Sequence, residues 1–230
     1  MIILGIDTST SMGGAAVVSS EGLAAEYLLR IHNGHSERII PAVERALADS
    51  GIWLPDVDAF AVVTGPGSFT GIRVGLATVK GFAYSLGKPI IPVTAMEALA
   101  WQFRAYPHLI YPIIDARRSE VFTQPFLEGA PVKAASNCKI SDLVLELASH
   151  SRPVLLVGQG ALQHREHLAG LEHAVFPPNE QAVLRPSSVA GLGLHLLGQG
   201  REQDWYQVLP FYMRKSSAEY QFGSTERNHG

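Results

Sequence analysis

The chain carries the same punctuation twice. The apolar run Ile2–Ile6 stops at Asp7, and the run Pro112–Ile114 stops at Asp115. Ala61–Thr64 enters Gly65-Pro66-Gly67, and Val154–Val157 enters Gly158-Gln159-Gly160. Short apolar runs bounded by turn residues read as buried strands. A strand–Asp and strand–Gly-x-Gly order in each half describes two related units. Their offsets differ, so the second copy is worn by deletion. A 230-residue chain has room for two such units.

Between these marks the first half reads βββαβαβα. Gly13–Ser19 and Leu23–Leu29 follow the first strand at the spacing of an antiparallel meander. Ser36–Ser50 places Ile39, Ile40, Val43, Ala46 and Leu47 on one stripe, so a helix is expected there. Ala59–Thr64 is a strand without charge, Thr70–Leu86 a helix, and Pro89–Val93 a strand. Thr94 with Glu97 three residues on has the form of a capping box, opening a helix to about Phe103. In the second half Val121–Phe126 reads as a strand. Helices are expected from Ser141–Asp142 to about His150 and over Ser187–Gln199. The expected units are 1–106 and 107–218, with the boundary near Tyr106-Pro107 and a loose polar tail over 219–230.

Composition narrows the function. Net charge is −3, which excludes a strongly basic nucleic-acid-binding domain. Charged residues make up 17%, low for a soluble surface, so part of that surface is expected to be covered by a partner. Cys138 is the sole cysteine. That excludes an intramolecular disulfide and a Cys-rich zinc site, and it suits a reducing cytoplasm. No apolar run is long enough to span a membrane. The first residues lack the basic region of a signal peptide.

Asp7-Thr8-Ser9-Thr10-Ser11 sets a carboxylate and four hydroxyls at a strand end. It is either a phosphate or magnesium-water contact or a turn bonded to its own backbone. GPGSFTGIRVG, Gly65 to Gly75, leaves backbone N–H groups free at a helix start. It has no Gly-Lys-Ser/Thr, and Thr70 stands where a dinucleotide loop needs glycine. It is either a different anion contact or a rigid turn. The following helix carries only Arg73 and Lys80 as charges and is apolar around most of its circumference. It must be covered on more than one side, by its own neighbours or by a partner. Gly71 and Gly75 would let another helix approach closely. If a partner supplies that cover, the helices Ser36–Ser50 and Thr70–Leu86 are the docking surface, with Ile39, Val43, Gly75, Thr78, Val79 and Phe82 facing outward; otherwise these residues belong to the chain's own core. His32/His35 and His164/His167 lack carboxylate or cysteine companions, so no metal site is expected. Asp115–Glu120 packs charge at a strand end, either as a solvated turn or facing a cleft.

These segments occur in a familiar order: Ile6-Asp7-Thr8-Ser9, His35-Ser36-Glu37-Arg38, GPGSFTGIRVG, Asp115 through Val121, and Pro210-Phe211-Tyr212-Met213-Arg214. Together they resemble the TsaB (YeaZ) family of bacterial tRNA-modification proteins, over Met1 to about Glu219. The resemblance implies an α/β, actin-like ATPase (ribonuclease H-like) fold of two related units, the second degenerate. It implies a noncatalytic scaffold or activator of the paralogue TsaD in forming N6-threonylcarbamoyladenosine, next to the anticodon of tRNAs reading codons that begin with A. TsaE, an ATPase, joins the pair, and ATP and a metal then belong to the partner subunits. Where TsaD-like sequences carry two metal-binding histidines, this chain has Ala95 and Leu99. Ser9 stands where the usual first phosphate loop has glycine. Asp7, Thr8, Ser9, Gly65, Gly67 and Ser68 are then vestigial phosphate-loop contacts, and no residue is expected to be catalytic. The same helices would serve a homodimer. Contact with tRNA would be weak or indirect, through Arg117, Arg118, Arg214 and Lys215. The alternative is an enzyme acting alone, an actin-like nucleotide hydrolase or a metalloprotease.

Overall fold

A computed structural model describes residues 1–30 and 35–214. His32, Lys215 and the tail from Glu219 lie outside the described residues.

The first sheet has strands β1 (Ile2–Asp7), β2 (Met12–Ser19), β3 (Gly22–Arg30), β4 (Ala59–Gly65) and β5 (Ile90–Thr94) in the order β3-β2-β1-β4-β5. β1, β2 and β3 pair antiparallel, while β1, β4 and β5 run parallel. The helices of this half are α1 (His35–Ser50), α2 (Phe69–Leu86) and α3 (Ala95–Gln102). The second half repeats the plan. Its strands are β6 (Leu109–Asp115), β7 (Glu120–Thr123), the short hairpin β8 (Phe126–Leu127) and β9 (Ala130–Pro131), β10 (Ser136–Lys139), β11 (Val154–Val157) and β12 (Ala174–Val175). The main order is β10-β7-β6-β11-β12, with β8 pairing β6 and β9. β6, β7 and β10 are antiparallel, and β6, β11 and β12 parallel. Its helices are α4 (Ile140–Ala148), α5 (Gln159–Gln163), α6 (Arg165–Leu168) and α7 (Pro186–Leu197).

Strand alternation feeds three cores. Leu4, Ile6, Phe60 and Val62 face α1 and α2, where they meet Ile39, Val43, Ile72 and Val79. Ile3, Ala61 and Val63 turn the other way, into a core shared with Ile110, Ile114, Leu155 and Val157 of the second sheet and with Met96 and Leu99 of α3. Tyr111, Ile113, Val154 and Leu156 face Leu143, Leu147 and Leu168. The central strands are thus buried on both faces, which is why they read as near-continuous apolar runs. Every strand of the first sheet precedes Tyr106 and every strand of the second follows it. α7 comes late in the chain yet packs on β1, β2 and β4 of the first sheet. Ala190 seats against Gly5, where an added Cβ would lie 2.6 Å from its backbone nitrogen.

Local signals hold where they are local. Thr94 caps α3: its Oγ1 accepts the Glu97 N–H (3.1 Å), and Glu97 Oε2 accepts the Thr94 N–H (2.8 Å). The run expected at Val121–Phe126 is split by Pro125, which cannot donate to a ladder. α4 starts at Ile140, so Ser141 and Asp142 lie inside its first turn and do not cap it, and the N-cap residue, Lys139, makes no side-chain cap bond.

Candidate functional site

Parallel pairing of β1 with β4 brings their carboxyl ends to the same edge, where open α/β sheets place ligands. Asp7, Thr8, Ser9, Gly65, Gly67 and Ser68 do gather there, and they bond to one another. The Ser9 N–H donates to Asp7 Oδ1 (2.8 Å), and the Ser68 N–H to the Ser9 carbonyl (2.7 Å). Ser68 caps α2, its Oγ accepting the Gly71 N–H (3.2 Å), and Thr8 Oγ1 donates to the Gly71 carbonyl (2.7 Å). A side chain at Gly67 would collide with the Ser9 carbonyl, and one at Gly71 with the Thr8 carbonyl. The two loops are therefore backbone against backbone, with the Ser68 and Gly71 amides directed at protein acceptors.

Asp7 has no exposed surface, and burial pushes its carboxyl from the usual 3.8 up to about 6, outweighing the opposing pull of the polar groups of Ser9 and Thr8 around it. Asp7 Oδ2 and Ser9 Oγ are buried without a hydrogen-bond partner.

The corresponding edge of the second sheet is more open. Asp115 Oδ1 accepts the Arg117 N–H (3.1 Å) and lies 3.6 Å from His164 Nε2. Arg117, Arg118 and Ser119 all sit in the left-handed region, with φ of 63°, 54° and 60°. The three are exposed. Gln159 Nε2 donates to Ser11 Oγ (2.7 Å), joining the loop ends of the two halves.

The docking residues fall differently from expectation. Ile39, Val43 and Val79 do not face outward: they are buried in the core of the first sheet, because the most apolar stripe of each helix goes to its own sheet. Gly75 accommodates the β1–β2 loop and not a partner helix, since an added Cβ would lie 2.5 Å from Thr8 Oγ1. Thr78 and Phe82 are half-buried, and the Phe82 ring packs 5.8 Å from that of Phe60. The outer face of α2 is instead Thr70, Ala77, Gly81 and Ser85, exposed, with Val74 and Thr78 at its margin. Reading these residues at 100° per position would have found them, opposite the apolar stripe.

Sequence reasoning also missed what covers the remaining flank of α2. The segment after α7 runs along it. Gln203 bridges Ile90, Trp205 meets Tyr84 edge-on (5.3 Å), and Tyr212 stacks on Phe69 (4.6 Å). Tyr212 Oη accepts from Arg73 Nε (3.0 Å), whose guanidinium lies 3.9 Å from the Phe69 ring centre. Much of the apolar circumference of α2 is covered within the chain.

Ala95 and Leu99 lie inside the core between the sheets. Among the described residues no three His, Cys, Asp or Glu side chains gather as a metal site, and no helix is long and apolar enough to cross a membrane.

Residues 30–181 match the family model for TsaD, tRNA N6-adenosine threonylcarbamoyltransferase. The chain is 33% identical to the tRNA threonylcarbamoyladenosine biosynthesis protein TsaB of Bacillus subtilis over 225 residues, 95% of this chain and 96% of that one. Among solved structures, a Pseudomonas aeruginosa protein described as similar to peptidase YeaZ superposes with a TM-score of 0.79 at 25% identity. The match covers 93% of this chain and 99% of that one. The activator of 2-hydroxyisocaproyl-CoA dehydratase from Clostridium difficile, solved with bound ADPNP, superposes with a TM-score of 0.57 at 10% identity. Here 87% of this chain and 96% of that one are covered, a likeness of fold alone. The fold is the actin-like ATPase, ribonuclease H-like one.

Proposed function

Because the chain belongs to the TsaB family of tRNA threonylcarbamoyladenosine biosynthesis proteins, we propose that it is a noncatalytic partner of the transferase TsaD. In that role it supports formation of N6-threonylcarbamoyladenosine beside the anticodon of tRNAs reading codons that begin with A. The work is cytoplasmic, TsaE is a further partner, and tRNA is contacted weakly or indirectly.

The observation that carries the reading is the outer face of α2. Thr70, Val74, Ala77, Thr78, Gly81 and Ser85 are small or uncharged, while Arg73 turns to the flank held by Tyr212. A charge-free helix face with glycine and alanine four apart lets a second helix approach to about 8 Å. The same face would serve a second copy of the chain when TsaD is absent.

The loop ends support the noncatalytic half of the proposal. A nucleotide at this edge needs free amides at the start of α2. Here the Ser68 and Gly71 amides are taken by Ser9 and Ser68, and Asp7 and Ser9 are sealed from solvent. With these two amides occupied, the arrangement disfavours a bound phosphate. Ala95 and Leu99 offer hydrocarbon where a metal ligand would have to stand. ATP and metal are accordingly assigned to the partner subunits.

Gly81→Arg tests the proposal. An added Cβ at Gly81 meets nothing within 4 Å, so the variant should keep the wild-type fold. Burying its charge in the interface weakens TsaD capture about a hundredfold or more. Wild-type capture by a folded Gly81→Arg would refute the docking face.

A further inference from the structure

The segment Pro210-Phe211-Tyr212-Met213-Arg214 was singled out by its sequence, and docking on α2 gives it no task. Its neighbours do. Val208, just before it, is buried in the core of the first sheet and anchors the segment to the first half. The Phe211 N–H donates to the Thr64 carbonyl (2.8 Å), and the Phe211 carbonyl lies where any side chain at Gly65 would be. Tyr212 is held by Phe69 and Arg73 at the start of α2. Met213 packs against the core between the sheets. The chain then crosses to the second half, where Arg214 Nη1 donates to the Ala116 carbonyl (2.8 Å) and lies 3.4 Å from Glu120 Oε2.

One short segment thus contacts the loop after β4, the start of α2 and the loop after β6. The last two elements lie on different halves of the molecule. On the same side, Gln159 and Ser11 join the loop after β1 to the turn after β11. The hydrophobic core shared by the two sheets is built around α3 and α7 and reaches this end only at its margin, through Ala116 and Met213. Two sheets hinged on a common core can separate at their loop ends unless something ties those ends together.

We propose that residues 208–214 are a latch that holds the two halves shut at their loop ends. Val208 and Phe211 fix it to the first half, and the Arg214 guanidinium engages the second. The main chain of Phe211 makes the first-half contact, which explains why a glycine stands at position 65. The charge of Arg214 makes the second, through a backbone carbonyl and a carboxylate. The latch keeps the chain a single rigid body and seals the edge where the β1 and β4 loops meet.

Hydrogen–deuterium exchange on the full chain tests this, with Arg214→Ala releasing the second-half end and Phe211→Pro removing the N–H given to Thr64. Each variant should speed exchange in residues 64–72 and 116–121 together, about tenfold or more for Arg214→Ala, which loses a charged hydrogen bond, and several-fold for Phe211→Pro, which loses a neutral one. Amides of β1 should exchange as in the wild type. Arg214→Lys, which keeps the charge without the planar fork, should loosen the same two loops by less. Faster exchange confined to residues 208–214 would overturn the latch, as would loosening of one loop alone or no change in either. Global unfolding of both variants would also overturn it, because a latch is dispensable to the cores it joins.

Discussion

Replacing Asp7 by asparagine should stabilise the protein, and the gain should depend on pH. Asp7 ends β1, accepts the Ser9 N–H through Oδ1 and leaves Oδ2 buried without a partner. Burial raises its pKa from 3.8 to about 6. Between those values the native chain holds a proton that the unfolded chain has lost. Stability therefore falls as pH rises through about 4 to 6 and is level above that range. A difference of roughly two pH units corresponds to about 3 kcal/mol, the most that ionising this carboxyl can cost the fold. Asparagine keeps the acceptor for Ser9 and puts a donor next to the buried Ser9 hydroxyl. At pH 8 Asp7→Asn should gain up to about 3 kcal/mol, or some 6–12 °C in Tm for a chain of this size. At pH 5 the advantage should be about half as large, because the wild-type carboxyl is then mostly protonated in the native state. Thermal melts by circular dichroism at the two pH values measure both quantities. A variant less stable than wild type at pH 8, or an advantage unchanged between pH 8 and pH 5, would refute the assignment of Asp7 as a buried, uncompensated acid.

Two further outcomes follow from packing. Val79→Asp and Gly75→Arg should fail to fold in soluble form, because each puts an unpaired charge where the chain is closed. Val79 is wholly buried, and Gly75 abuts Thr8. The penalty of several kcal/mol approaches the whole stability of a typical domain. Soluble, native-like circular dichroism of either variant would contradict this. Thr94→Ala should lose about 1 kcal/mol, read as a lower urea midpoint with unchanged slope, because it removes the hydroxyl that accepts the Glu97 N–H and donates to Glu97 Oε2, leaving only the amide half of the capping box.

The sequence is most legible where structure is local. Asp7 and Gly65 mark strand ends because an apolar run gives way to turn chemistry within a few residues, and the same is true of Asp115 and Gly158. Their repetition carries the two-sheet plan. The capping box at Thr94 is read from four consecutive residues. Contacts between distant residues are not legible in this way. Gly75 reads as a helix-contact glycine, yet its neighbour is Thr8, which no pattern inside α2 discloses. Ile39, Val43 and Val79 look like surplus apolar surface only if the sheet is assumed to be satisfied without them. The sheet takes them, and the segment from Gln203 to Tyr212 covers the flank that seemed to need a partner. That segment has no helical or strand periodicity, so its path along α2 becomes visible only in three dimensions. The gathering of Asp7, Ser9, Gly67 and Ser68 was expected from the sequence. Their close backbone contact, which leaves Asp7 Oδ2 and Ser9 Oγ buried without partners, was not, because hydrogen-bond partners at a turn depend on how closely two loops approach.

The central claim is that this chain assists a transferase without performing the chemistry. It is tested most directly by threonylcarbamoyl transfer from a threonylcarbamoyl adenylate to tRNA, measured with this chain alone, with TsaD alone, and with both, in the presence of TsaE and ATP–magnesium. No transfer is expected from this chain alone, and the pair should be faster than TsaD by itself. Transfer by this chain without TsaD, or a TsaD rate unchanged by its addition, would contradict it.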